Sequence, residues 1–229
     1  SLNVFPVPDG DTGTNMLLTM RATIEESARV NSIRADAMAE CISKAALLGA
    51  RGNSGVILSQ FFRGFAEGLK GLDKFNGSDF AQALASANTW AYKSVGKPVE
   101  GTMLTVIREA SIAAIKASKS GYNLIKVCEF ARDASKVTLS KTPNLLPILR
   151  KAGVVDAGGQ GLCFILDGFI ASLYERDVNL IAKEPEKPMI SDESNIGLVN
   201  EEFLADTEEE IYGYCINFAI KIVSSVLSS

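Results

Sequence analysis

Apolar residues recur along this chain at intervals of three and four. Residues 35–48 place Ala35, Met38, Ala39, Ile42, Ala45 and Ala46 on one face. Residues 80–95 do the same with Phe80, Leu84, Ala87, Ala91 and Val95, and residues 103–118 with Met103, Leu104, Ile107, Ala110, Ala114 and Ile115. Over 162–173 the stripe consists of Leu162, Ile165, Leu166, Phe169, Ile170 and Leu173. Such spacing marks amphipathic helices that share a core. No stretch alternates apolar and polar residues over a useful length, so strands are not expected. The pattern predicts an all-α chain with about seven helices between residues 13 and 176. Phe61, Phe62 and Phe65, with Phe164 and Phe169, read as core packing, with the lining of a lipid cavity as the alternative.

Helix punctuation supports this reading. Thr142-Pro143 reads as an N-cap followed by proline at the first helical position, and Gly153 closes that helix after Lys151. Ser78-Asp79 is expected to cap the helix that begins near Phe80. The pattern changes beyond Ala182. Glu184-Pro185-Glu186-Lys187-Pro188 and the acidic run 206–210 predict a linker, and an apolar pattern resumes from Ile211 to Val226. The expected organisation is a helical domain over 1–181, an acidic linker over 182–210, and over 211–229 a docking helix or the start of a truncated second domain.

Composition narrows the chemistry. The 229 residues are 47% hydrophobic and 22% charged, which suits a globular chain with a substantial core. The net charge of −4 argues against nucleic acid as a partner, since such binders carry a basic surplus. No apolar run reaches the roughly 18 residues of a membrane-spanning helix. The chain has no histidine, which excludes imidazole as base, acid or metal ligand within it. Catalysis would have to rest on carboxylates, Lys, Arg, hydroxyls, backbone amides or a metal held by oxygen. Cys41, Cys128, Cys163 and Cys215 lie far apart, and three of them sit in apolar sequence, as reduced thiols of a cytoplasmic protein would. The chain opens on Ser1 without a methionine, so Ser1 is not read as the native start.

Four glycine-bearing loops precede predicted helices. The first, Pro6-Val7-Pro8-Asp9-Gly10-Asp11-Thr12-Gly13-Thr14-Asn15, carries two carboxylates two residues apart. Hard divalent cations take oxygen ligands, and a following helix start favours an anion such as phosphate. A turn in which Asp or Thr caps a helix is the equally simple reading. The others are Gly49-Ala50-Arg51-Gly52-Asn53-Ser54-Gly55, Gly96-Lys97-Pro98-Val99-Glu100-Gly101-Thr102-Met103 and Val155-Asp156-Ala157-Gly158-Gly159-Gln160-Gly161. Each alone is weak. Alternate loops of an up-down bundle share one end, so the recurrence points to a negatively charged ligand gathered there. Arg51, Lys97 and Arg150 are candidate phosphate contacts, although most such side chains are simply solvated.

The strings Asn3 to Met16 and Ala50 to Gln60 resemble the N-terminal domain of the bacterial fatty acid kinase ATP-binding subunit. Lys97-Pro98-Val99-Glu100-Gly101-Thr102, Thr142-Pro143-Asn144-Leu145-Leu146 and Gly153 to Gly159 extend the resemblance over residues 1 to about 175. More distantly, the domain is similar to the ADP-binding L subunit of dihydroxyacetone kinase. The resemblance implies an antiparallel eight-helix barrel that binds ATP with two Mg²⁺ ions at one end. It also implies a leading helix ahead of Ser1. It places metal binding and catalysis on Asp9 and Asp11. Nucleotide contacts fall on Thr12, Thr14, Asn15, Asn53, Ser54, Gly55, Thr102, Met103, Asp156 and Gly158, with the amides of Ser54 and Gly55 on the phosphates. The dihydroxyacetone kinase subunits carry a histidine where this chain has Thr12, and a further aspartate where it has Asn3 or Val4. The implied acceptor is therefore a fatty acid carboxylate presented by an acyl-chain-binding partner protein, giving an acyl phosphate. The alternatives are a dihydroxyacetone-type kinase subunit and a non-enzymatic lipid-binding helical protein. Glu210 to Cys215 resembles the opening of the family's middle domain, whose cysteine is linked to metal or partner contact, and homodimerisation through downstream domains stays open.

Overall fold

The spacing of three and four residues is realised as helices throughout. A computed structural model describes residues 3–6, 8 and 10–174. Its eight helices are α1 (Thr12–Ser27), α2 (Ala35–Gly49), α3 (Gly52–Gly68), α4 (Gly77–Lys93), α5 (Met103–Lys119), α6 (Leu124–Leu145), α7 (Pro147–Ala152) and α8 (Ala157–Leu173), with no strand among the described residues. The proposed linker 182–210, the segment 211–229 and Cys215 lie outside the described residues.

Each long helix packs on the next in sequence, and α8 packs on both α6 and α1, closing a ring. Neighbours run in opposite directions where glycines let backbones meet: Gly64 of α3 faces Ala87 of α4, and Gly68 faces Ala83. At the closure the rule breaks. Gly161 near the start of α8 lies against Met16 near the start of α1, so these two helices run parallel. The main core joins α3, α4, α5, α6 and α8 through Leu58, Phe80, Leu84, Ile107, Val127 and Leu162.

Two caps differ from expectation. Asn76, two residues upstream of Ser78, caps α4; its side chain accepts from the amides of Ser78 and Asp79, and Asp79 returns a bond to the Asn76 amide. This reciprocal box satisfies three amide donors, those of Asn76, Ser78 and Asp79. Thr142 is no N-cap either. It is buried within α6, which continues through Pro143 to Leu145. Proline leaves the Leu139 carbonyl without its helical donor, and the Thr142 hydroxyl supplies one at 2.7 Å. The break falls at Leu146, Pro147 opens α7, and Gly153 ends it with φ of 67° as expected.

Short as it is, α7 positions the amino-terminal segment. Val4 and Leu149 are both buried, in a small cluster completed by Leu146, Ile148, Ala152 and Val154. That seat fixes where the chain enters the Asp9–Asp11 loop. Cys128 and Cys163 are buried and Cys41 half-buried, all three free; burial pushes the Cys128 thiol up to about 12, which leaves it protonated and unreactive. No helix of the described residues is long and apolar enough to cross a membrane.

Candidate functional site

The first turns of α1, α3, α5 and α8 converge on one cleft of about 400 Å³, in the usual size range for ligand sites. Thr12, Asn53, Ser54, Thr102, Met103, Asp156 and Gly158 line it. Its apolar lining includes Phe5, Ile57 of α3, Val95 and Val99 of the α4–α5 connection, and Leu104 of α5. The charged side chains among the described lining residues are Lys97 and Asp156.

The helix starts at this end differ from those at the other. There, Asn76 caps α4 and Asn123 caps α6 with their side chains, while the first amides of α2 donate to the carbonyls of Asp73 and Leu72. At the cleft, α1, α3 and α5 have no side-chain cap bond. A first turn holds donors that no intrahelical acceptor reaches, and three such turns aim theirs at a shared space. Their dipoles add a positive field there.

Asp156 is the exception, a buried carboxylate that caps α8. It accepts from the Gly159 amide at 2.7 Å. Burial pushes its carboxyl up to about 6, against the opposing effect of amides from Gly159, Met103 and Gly158. The same carboxylate thus caps α8 and faces the Met103 amide at the start of α5. Its own amide donates to the Thr142 hydroxyl at 3.1 Å, so α6 holds it from behind.

On the α1 side, Asp11 is the N-cap residue, yet its carboxylate makes no cap bond; it accepts from Asn15 Nδ2 at 2.6 Å. Gly52, at φ of 56°, passes against the Asn15 side chain where a Cβ would collide with it. Ser54 Oγ lies 3.5 Å from the Thr12 carbonyl, tying α3 to α1.

Of the twelve residues expected at the site, seven line the cleft. Asp11 and Asn15 stand beside it as a bonded pair, and Thr14 is exposed on α1. Asp9 lies outside the described residues. Gly55 is buried on α3 and is not among the lining residues. Its amide donates to the Arg51 carbonyl at 2.9 Å, so it is the first intrahelical donor of α3 and is not turned to the cleft. Gly52, Asn53 and Ser54 precede it as the open first turn. Of the candidate cations, Lys97 lines the cleft, whereas Arg51 turns back to the carbonyls of Gly49 and Ala50 at the end of α2. Arg150 is exposed on α7 and is not among the lining residues.

The DAK2 domain family matches residues 6–171, most of the chain. The chain belongs to the DAK2 domain family. It is 42% identical over 225 residues to the uncharacterized protein SSP1546 of Staphylococcus saprophyticus, covering 96% of this chain and 39% of that protein. It is also 42% identical over 223 residues to the uncharacterized protein SAUSA300_1119 of Staphylococcus aureus, covering 96% of this chain and 40% of that one. The chain thus spans about two fifths of the length of these relatives.

DAK2 domains are associated with kinases, and the helical fold agrees with the family. Within this DAK2 domain, sequence reasoning missed the apolar lining. Val95 read as one more core position, and Phe5, Ile57 and Val99 gave no periodic signal at all. Also missed was a polar cluster behind the α4–α5 loop. Glu100 accepts from Tyr92 Oη at 3.1 Å, Thr105 Oγ1 at 2.7 Å and Arg108 Nη1 at 2.6 Å. Burial works to raise its pKa, yet the bonds from Thr105, Arg108 and Tyr92 hold the carboxyl below its usual range. A second cavity of about 250 Å³ is lined by apolar residues, with Phe61, Phe62, Phe65, Phe75, Phe80 and Phe169 around it. The expected stripe of phenylalanines is thus only partly close-packed, and Phe164 points outward, 54% exposed.

Proposed function

We propose that the cleft binds ATP and that this DAK2 domain passes the γ-phosphate to a carboxylate, that of a fatty acid presented by an acyl-chain-binding partner. The observation that carries the nucleotide half is the meeting of the first turns of α1, α3 and α5, none with a side-chain cap bond, in one cleft that also presents apolar side chains. The amide donors suit a phosphate chain, and the apolar side chains of Ile57, Val95, Val99 and Leu104 suit a flat base. Lys97 and the helix dipoles add positive charge.

Asp11, with Asp9 beside it in the chain, would hold Mg²⁺. Such an ion would complete its shell with water and substrate phosphate. It would supply charge neutralisation as the phosphate is transferred. Asn15 steadies the Asp11 carboxylate, and the first-turn amides of α3 orient the phosphate tail. In the transfer, an oxygen of the acceptor carboxylate bonds to the γ-phosphorus as the bond to ADP breaks. The acceptor is already ionised at neutral pH, so no general base is required, and a chain without histidine is suited to that.

Calorimetric titration of ATP with Mg²⁺, then with EDTA, tests this reading. Heat of binding with Mg²⁺ alone, abolished in Asp11→Asn and Asp9→Asn with helicity intact, is the expected result. Unaltered binding in both variants would refute the assignment. A dihydroxyacetone acceptor is separated by a turnover assay against acyl-loaded partner. The apolar cavity favours a second reading, a lipid-binding protein without turnover. That reading calls for acyl chains in an organic extract of the purified protein and for no Mg²⁺ dependence.

A further inference from the structure

The α4–α5 loop forms one side of the cleft through Ser94, Val95, Gly96, Lys97, Val99 and Thr102. A loop of this kind, containing Gly96, Pro98 and Gly101, has no hydrogen-bond ladder to hold it. Glu100 ties it to both flanking helices. Its carboxylate takes bonds from Tyr92 at the end of α4 and from Thr105 and Arg108 on α5. The Thr105 hydroxyl accepts in turn from the Gly101 amide at 2.8 Å, and Arg108 Nη1 also donates to Tyr92 Oη at 3.1 Å. Gly101, at φ of 84°, is pressed against Leu145 and Leu146 at the end of α6. The Thr102 hydroxyl closes the loop on the Val99 carbonyl at 2.8 Å.

We infer that Glu100 is a positioning residue of the nucleotide site: through Tyr92, Thr105 and Arg108 it fixes the α4–α5 loop as a wall of the cleft and sets the start of α5. This rests on the nucleotide reading above. Glu100 does not line the cleft, and it acts through the loop and the Gly101–Met103 turn. An isolated exposed ion pair is worth little, but one carboxylate gathering three donors from two helices restrains the loop between them.

The test uses the full 229-residue chain and the variants Glu100→Gln, Arg108→Met, Arg108→Lys and Tyr92→Phe. Three quantities are read: Mg²⁺-ATP affinity by calorimetry, amide hydrogen exchange across 94–102, and melting temperature. Glu100→Gln keeps the shape but removes the charge that Arg108 pairs with and the acceptor oxygen that takes the Thr105 hydroxyl. It should weaken ATP binding about tenfold and speed exchange in the loop, with exchange in α3 and α8 unchanged. Arg108→Met should match it, Arg108→Lys should recover part of the affinity, and Tyr92→Phe should lose about two- to threefold. A merely structural role would lower the melting temperature and speed exchange across all helices together. Wild-type affinity in Glu100→Gln and Arg108→Met, or unchanged exchange over 94–102, overturns the inference. If wild-type chain binds no ATP while the loop still loosens in Glu100→Gln, the nucleotide reading fails, and the positioning role with it, but the clasp is real.

Discussion

Replacing Asp156 with asparagine should stabilise this protein at neutral pH. The carboxyl titrates near 6 in the folded chain instead of 3.8, because burial disfavours its charge. At about 1.4 kcal/mol per pH unit, that displacement makes the charged form ~3 kcal/mol worse in the fold than in the unfolded chain. The sign follows from linkage. A raised carboxyl pKa contributes stability below the unfolded value, and that contribution is lost as pH climbs through about 6. At pH 7.5 the wild type carries the full penalty, and asparagine never does. Asparagine still accepts from the Gly159 amide, since it is as good an N-cap as aspartate. About 1 kcal/mol is deducted for its NH₂, which faces the Met103 or Gly158 amide where an oxygen stood. The variant should therefore gain ~2 kcal/mol at pH 7.5 and little or nothing at pH 4. Urea unfolding followed by circular dichroism at those two pH values, on either side of the pI of 5.1, measures the difference. Equal destabilisation of the variant at both would refute the reasoning. A gain would identify Asp156 as a group kept at a cost to stability, as functional sites often are.

Further predictions concern packing and the loop contacts. A Cβ on Gly64 would lie 2.5 Å from the Ser86 carbonyl and 2.6 Å from Ala87 Cα, so Gly64→Ala should destabilise by ~2–3 kcal/mol as α3 and α4 are forced apart. Gly168 has open space at the same point, and Gly168→Ala should instead raise the melting point, by about 1 kcal/mol of stability; a similar loss in both would defeat the packing argument. Thr142→Val leaves the Leu139 carbonyl and the Asp156 amide without partners and should cost ~2–3 kcal/mol in denaturant unfolding, a near-neutral result counting against the tie. Gly52→Ala strains a φ of 56° and displaces Asn15 from Asp11; Mg²⁺-ATP affinity should fall with a melting loss of only ~1 kcal/mol, and unchanged affinity would detach that contact from the site.

Much of the fold was legible because a helix is a local structure. Its stripe is written every three or four residues, and Leu84, Ala87, Ile107, Ala110 and Leu162 are buried where the stripe put them. The helix ends were read less well. The helix starts at Gly77, which puts Asn76 at the cap and Ser78 inside the first turn, and Thr142 compensates for Pro143 through a hydroxyl bond that composition does not reveal. The convergence of four loops was readable for a simple reason: alternate turns of an up-down bundle share an end. Seven of the named residues do line one cleft there.

By itself, then, the sequence determined the all-helical class, the absence of imidazole from these 229 residues and the glycine-bearing loops that precede the helices. Only the tertiary structure decided which donors those loops leave open. Gly55 and Ser54 are adjacent and alike on paper, but the turn at Arg51 spends the Gly55 amide inside α3 and leaves that of Ser54 in the first turn. Nor is burial of Asp156 a property of Asp156. It comes from α5, α6 and α8 closing around it, and with burial comes the raised pKa. The same holds for the Glu100 cluster, whose partners Tyr92 and Arg108 stand on different helices. Spacing encodes what neighbours in sequence can do, whereas desolvation and hydrogen bonds between helices arise only once distant segments meet.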